Sequence, residues 1–178
     1  MRSQQNNPGL MASGVWSGYG IQGSLHWCDG KTKVNGEVFL RMFLDHVVPS
    51  CAMLPGDSRK YLILDRAPAH FAEKIRPDLI EALESINCEL IWQASNSPDL
   101  SPLDFTVWNR LKRDVGEHPP TQAGQIQLRA DSVRCWQILT GQYASIEAQD
   151  DILNTFRKRC LACVHANGGL FEHMLGGK

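Results

Sequence analysis

Apolar residues along the chain fall into short strand-like runs and longer helical stripes, and the most informative run is the shortest. Tyr61, Leu62, Ile63 and Leu64 stand consecutively and end at Asp65, just before Ala67-Pro68. An unbroken apolar run of this length suits a strand buried on both faces. Proline disfavours helix in the residue before it, so the chain is expected to turn there. Cys88 to Gln93 reads as a second short strand. Met11 to Ser17 and Ile21 to Trp27 read as two more, joined through Gly18-Tyr19-Gly20 as a hairpin. Helical spacing runs through Val38, Phe39, Met42, Phe43 and Val47, with Asn35 placed to cap the start and Pro49 to stop the helix. Further helices are expected over about Phe71 to Ile86, kinked or divided at Pro77, from Pro102 to about Val115, and over 121–140 and 146–163.

Two acids stand at the joints of this pattern. Asp65 closes the Tyr61 strand, and open α/β sheets place their sites at the carboxyl ends of strands. Taken alone it reads better as a turn or cap residue, since Asp is common at such places. Residues 96–108 read NSPDLSPLDFTVW, a loop leading into a helix. Ser101 suits the N-cap and Pro102 the first helical position. Asp104 then falls in the first turn, where the helix dipole favours an anion. Asp99 shapes the preceding loop through its own backbone. Two converging carboxylates can hold a divalent cation through oxygen ligands. Such ions stabilise the attacking and leaving oxygens in phosphoryl chemistry.

Composition changes this picture little. With 43% hydrophobic and 21% charged residues, the 178-residue chain is one globular domain with a real core. A net charge of −1 gives no general electrostatic attraction to nucleic acid. No apolar run reaches membrane-span length, and the polar start lacks a signal-peptide core. Six cysteines therefore read as free thiols. Cys160 and Cys163 form a C-x-x-C followed by His165 and His173, which leaves zinc conceivable beside the simpler reading of one helical turn with Cys163 packed inward. Residues 1–11 are polar and expected to be disordered, leaving 12–175 as the folded domain.

Together the residues resemble the catalytic domain of mariner-like transposases of the DDE/DDD type. The likeness rests on LDRAPAH at 64–70, SPDLSPLDFTVW at 97–108 and RCLACVHANGGLFEH at 159–173, with support from Gly14-Val15-Trp16-Ser17-Gly18 and DGKTKVNGEVFL at 29–40. It spans about residues 12 to 175. Arg66 stands where the family usually has Asn, and the stretch between Asp65 and Asp104 is longer than expected. The resemblance implies an α/β, RNase H-like mixed sheet flanked by helices. It implies that Asp65 and Asp104 are the second and third acids of a catalytic triad, binding Mg²⁺ or Mn²⁺. It further implies a nuclear protein acting on DNA at transposon ends, with no membrane and no small-molecule substrate; a homodimer stays open. His70 is read either as helix entry or as a residue near the scissile phosphate. Arg110, Lys112 and Arg113 are read either as a solvated helix face or as contacts to the DNA backbone.

One departure limits the activity. The resemblance puts the first acid on a central strand upstream of Val15-Trp16, yet Met1 to Gly14 contain no Asp or Glu. Asp29, the first acid of the chain, stands in a turn and is a poor substitute. The first, central strand is therefore expected to be absent and the domain incomplete. Either the hairpin moves across to pair with Tyr61–Leu64, or a partner supplies a strand, or the chain is a truncated copy. The functional expectation is a transposase-derived endonuclease domain, inactive as it stands. A non-catalytic nucleic-acid-binding or interaction remnant is the alternative.

Overall fold

The computed structural model describes residues 11–28, 33–117 and 121–176. The hairpin forms as the alternation predicts, from β1 (Met11–Ser17) and β2 (Gly20–Cys28), antiparallel with Ser17 opposite Gly20. A register shift between Ser13 and Val15 marks a bulge at Gly14. A Cβ at Gly14 would lie 2.3 Å from Cη2 of Trp136, so only glycine allows this approach.

Asn35 caps α1 (Gly36–Met42) by accepting from the Val38 N–H at 3.0 Å. Pro49 does not stop the helix. A π-helical turn, Phe43–Val47, comes first, and Pro49 then sits in the opening turn of α2 (Val48–Ala52). The wide turn accommodates a residue that lacks an N–H donor. β3 (Lys60–Leu64) follows, then a 3₁₀ turn at Glu73–Ile75 and α3 (Arg76–Glu84). Pro77 starts α3 rather than kinking it, because its fixed φ suits the first helical turn. β4 (Cys88–Trp92) runs parallel to β3, with Leu62 opposite Leu90. A 3₁₀ turn at Pro98–Leu100 leads to a π-helical segment, Leu103–Trp108, which continues as α4 (Asn109–Val115). Two long helices, α5 (Gln122–Gln142) and α6 (Ile146–His165), complete the layer. No described helix is long and apolar enough to cross a membrane.

Two cores form. Phe39, Phe43, Leu79 and Leu83 pack beneath β3 and β4, and Leu79 and Leu83 are fully buried. Replacing either with Ala would cost about 2–5 kcal/mol. Ile21, Val107, Trp136 and Leu139 pack beneath the hairpin. Trp136 joins the hairpin to α5, donating from Nε1 to Gly23 O at 3.2 Å and stacking on Trp108 at 5.5 Å.

The sheet is split. β1 pairs with β2 and β3 with β4, and no described strand joins the two halves. The hairpin thus does not cross over to pair with β3. Two cavities of about 320 and 350 Å³ occupy the space between β1 and β3. This gap corrects the expectation that the Tyr61 strand is buried on both faces: Tyr61 is 60% and Ile63 44% exposed. A strand needs a neighbour on each edge, and layers on both faces, to bury alternate side chains.

Candidate metal centre

Asp65 follows the last residue of β3, where the Pro68 break turns the chain. Its Oδ1 accepts from the Ala67 N–H at 3.1 Å and from Nδ1 of His70. A carboxylate only accepts, so His70 carries its proton on Nδ1. The His70 ring is held in turn by the Phe39 ring, with centroids 4.0 Å apart. The His70 hydrogen bond, helped by the Ala67 N–H, holds the Asp65 carboxyl below its ordinary range against the opposing effect of burial. Asp65 is therefore an ionised, partly exposed carboxylate with Oδ2 left for another partner.

Asp104 enters from the other side. Ser101 caps the helix as its sequence position predicts: its Oγ accepts from the Asp104 N–H at 3.4 Å and its carbonyl from Phe105 N at 3.0 Å. The Asp104 carboxylate has no hydrogen-bond partner among the described residues. Asp65 and Asp104 share the walls of two cavities. One is the 320 Å³ cavity that also holds His70, Gln93 and Ser101. The other, about 340 Å³, runs over Arg66, Pro68 and the Ser95–Pro98 loop. Gln93 lines both and fixes the loop by donating from Nε2 to Ser97 O. It follows β4 directly, so its position at the carboxyl end of a strand was the available signal. Arg159 has no such signal. It reaches from α6 to donate to Asp99 O at 3.1 Å, with its guanidinium 4.6 Å from the Phe105 ring centroid. It thereby ties down both the loop and the helix that carry Asp104.

The basic helix residues are placed less favourably. Arg110 and Arg113 both bond Asp114, at 3.2 and 3.1 Å. Lys112 lines a separate groove with Trp108 and Gly116. None of the three lines either acid-bearing cavity. Cys160 and Cys163 are half-buried thiols, with Ala162 the inward residue of that turn. Among the described residues no three His, Cys, Asp or Glu side chains gather to hold a metal, and Asp29 lies outside the described residues.

An antiparallel and a parallel pair of strands with helices packed against them, one acid at a strand end and one at a helix start, give the chain the RNase H-like α/β fold of a transposase catalytic domain. Among solved structures it is similar to the catalytic domain of Mos1 mariner transposase, at TM-score 0.63 and 21% identity over 92% of this chain and 76% of that one. It is also similar to that domain with raltegravir and Mg, at TM-score 0.62, 21% identity and coverages of 92% and 77%. With raltegravir and Mn the values are 0.60, 19%, 92% and 83%. No family model and no curated protein matches the chain.

Proposed function

We propose that the chain is a transposase-derived nuclease domain that binds a divalent cation and a DNA phosphate between Asp65 and Asp104 but does not cleave. The observation that carries this reading is the placement of the two acids on the shared walls of two cavities, at the end of β3 and the start of a helix, in this fold. The donor set suits one hard cation: two carboxylates, with water and phosphate oxygens completing the shell, as magnesium prefers. Bound there, the ion supplies charge neutralisation at a phosphodiester. The chain's own residues do the rest. His70 and Ala67 orient the Asp65 carboxylate, Ser101 and Arg159 fix the approach of Asp104, and Gln93 closes the floor.

A two-metal displacement needs more acid than this. With two carboxylates and no third among the described residues, cleavage and strand transfer are not expected. The similar Mos1 domains with Mg and with Mn support the choice of ion. DNA as partner and a nuclear location belong to the same proposal. The alternative is a nucleic-acid-binding remnant that uses no metal. Ion pairing of Arg110 and Arg113 to Asp114 weakens that reading.

The test is a thermal melt with and without magnesium, followed by plasmid nicking. A ligand that binds only the folded state stabilises it by about 2.7 kcal/mol at ~100-fold excess over Kd. A magnesium-dependent rise that vanishes in Asp104→Asn and Asp65→Asn is expected, with no nicking. Indifference to magnesium would defeat the metal site. Nicking that disappears in Asp65→Asn would overturn the claim of inactivity.

A further inference from the structure

Two helices carry exposed faces of opposite charge. On α3, Pro77, Ile80, Glu81 and Glu84 share the outer side, and with Glu73 they wall a shallow groove. Ile80 is 40% exposed there. None of these three glutamates has an ion-pair partner among the described residues. Arg76 also lines the groove, but its guanidinium lies 4.5 Å from the Phe71 ring centroid and donates to Phe71 O at 3.5 Å. Lys74 nearby is paired with Glu37 at 2.6 Å. The groove is thus apolar at its centre and negative at its rim. The outer face of α6 is the converse. Its buried residues are Ile152 and Ala162, and Arg157, Leu161 and Val164 recur on the opposite side at helical spacing. Leu161 is 60% and Val164 69% exposed. Neither Arg157 nor the adjacent Lys158 has an ion-pair partner among the described residues. Exposed apolar residues rimmed by charge mark interaction faces.

We propose that the α3 groove binds α6 of a second copy of this chain. The two faces select each other by charge and by spacing. Aligned antiparallel, one register serves every contact: Leu161 lies over Ile80, Val164 over Pro77, and Arg157 against Glu84. The steps match because Pro77, Ile80 and Glu84 stand three and four residues apart, as do Val164, Leu161 and Arg157 in reverse order. Each row covers about 10 Å of helix. Lys158 then stands at the same end of the contact as Glu81 and Glu84. Both faces are exposed within one chain, so the contact forms between chains. Each copy carries one groove and one stripe, which makes the contact head-to-tail: it closes into a ring or extends. Attraction between opposite surface charges makes it sensitive to salt.

The proposal is independent of the metal centre, and its test reads no activity. Sedimentation equilibrium of the full chain is followed with protein concentration and salt. A mass that rises above the monomer with concentration, and falls back between ~0.05 M and ~1 M salt, is expected. Ile80→Asp and Leu161→Asp change exposed side chains, so each should keep the parental circular dichroism while weakening association at least about tenfold. Mixed in equal amounts, these two variants should form a dimer and nothing larger, since the first keeps the α6 stripe and the second keeps the α3 groove. Glu84→Lys and Arg157→Glu should each weaken association, and their combination in one chain should restore it. A chain that stays monomeric up to ~1 mM would overturn the proposal. So would association that ignores salt or survives Ile80→Asp or Leu161→Asp, a mixture that stays monomeric, or a double charge variant no better than either single one.

Discussion

Arg159 is the residue whose removal best tests how the Asp104 segment is held. It comes from α6, yet it bonds Asp99 O at 3.1 Å and lies over Phe105 at 4.6 Å. Its side chain is only 17% exposed. A hydrogen bond to a charged donor contributes about 1.5–3 kcal/mol, and a partly desolvated cation–π contact about 0.5–2. These overlap on one side chain and do not add, so Arg159→Ala should cost about 2 kcal/mol. For a domain of this size that is a fall of about 4–8 °C in Tm. The 3.5 Å pair with Glu172 supplies the internal control. Glu172 is 70% exposed, so Glu172→Gln should stay within about 0.5 kcal/mol of the parent. Urea denaturation followed by tryptophan fluorescence, alongside a thermal scan, reads both. Arg159→Ala at parental stability would refute the reasoning, as would a Glu172→Gln cost of the same size. Arg159→Lys should fall between, since it keeps the charge and loses the planar stack.

Gly14→Ala should destabilise by about 1–3 kcal/mol, seen as a lower urea midpoint. The new Cβ would meet Trp136 at 2.3 Å, and Trp136 is pinned by Gly23 and Trp108. Asp65 should contribute to acid stability. Its folded-state carboxyl is held below the ordinary value by His70 and Ala67, so its contribution is full above about pH 4 and is lost as pH falls through the depressed value. The stability gap between parent and Asp65→Asn, measured by urea midpoints from pH 6 downward, should therefore narrow in acid; a constant gap would contradict it. Cys51 is 3% exposed and burial pushes its thiol up to about 11, so at pH 8 iodoacetamide should modify the half-buried Cys163 first and leave Cys51 intact, as peptide mass mapping would show.

Local chemistry made much of the fold legible. The hairpin, β3, β4 and the caps at Asn35 and Ser101 follow from alternation, apolar runs and side-chain oxygens acting within three residues. Prolines were less legible. Pro49 and Pro77 read as breaks, yet each opens a helix, because proline excludes only the donor position and not the first turn. The acids could be found because each stands at a strand end or helix start. Gln93 left only a faint signal, and Arg159 left none, since its partner Asp99 is sixty residues away.

By itself the sequence determined which segments are strands and helices, that they suit a mixed α/β domain, and that two acids border it without a third ahead of Val15. Each of these depends on residues close together in the chain. Only the tertiary structure decided that Asp65 and Asp104 share cavities, that His70 takes one oxygen of Asp65, and that β1 and β3 face each other unpaired. These depend on how far apart the hairpin core and the β3–β4 core settle. That distance is set by packing, with Trp136 and Trp108 holding one half and Phe43 and Leu79 the other, and no local pattern encodes it.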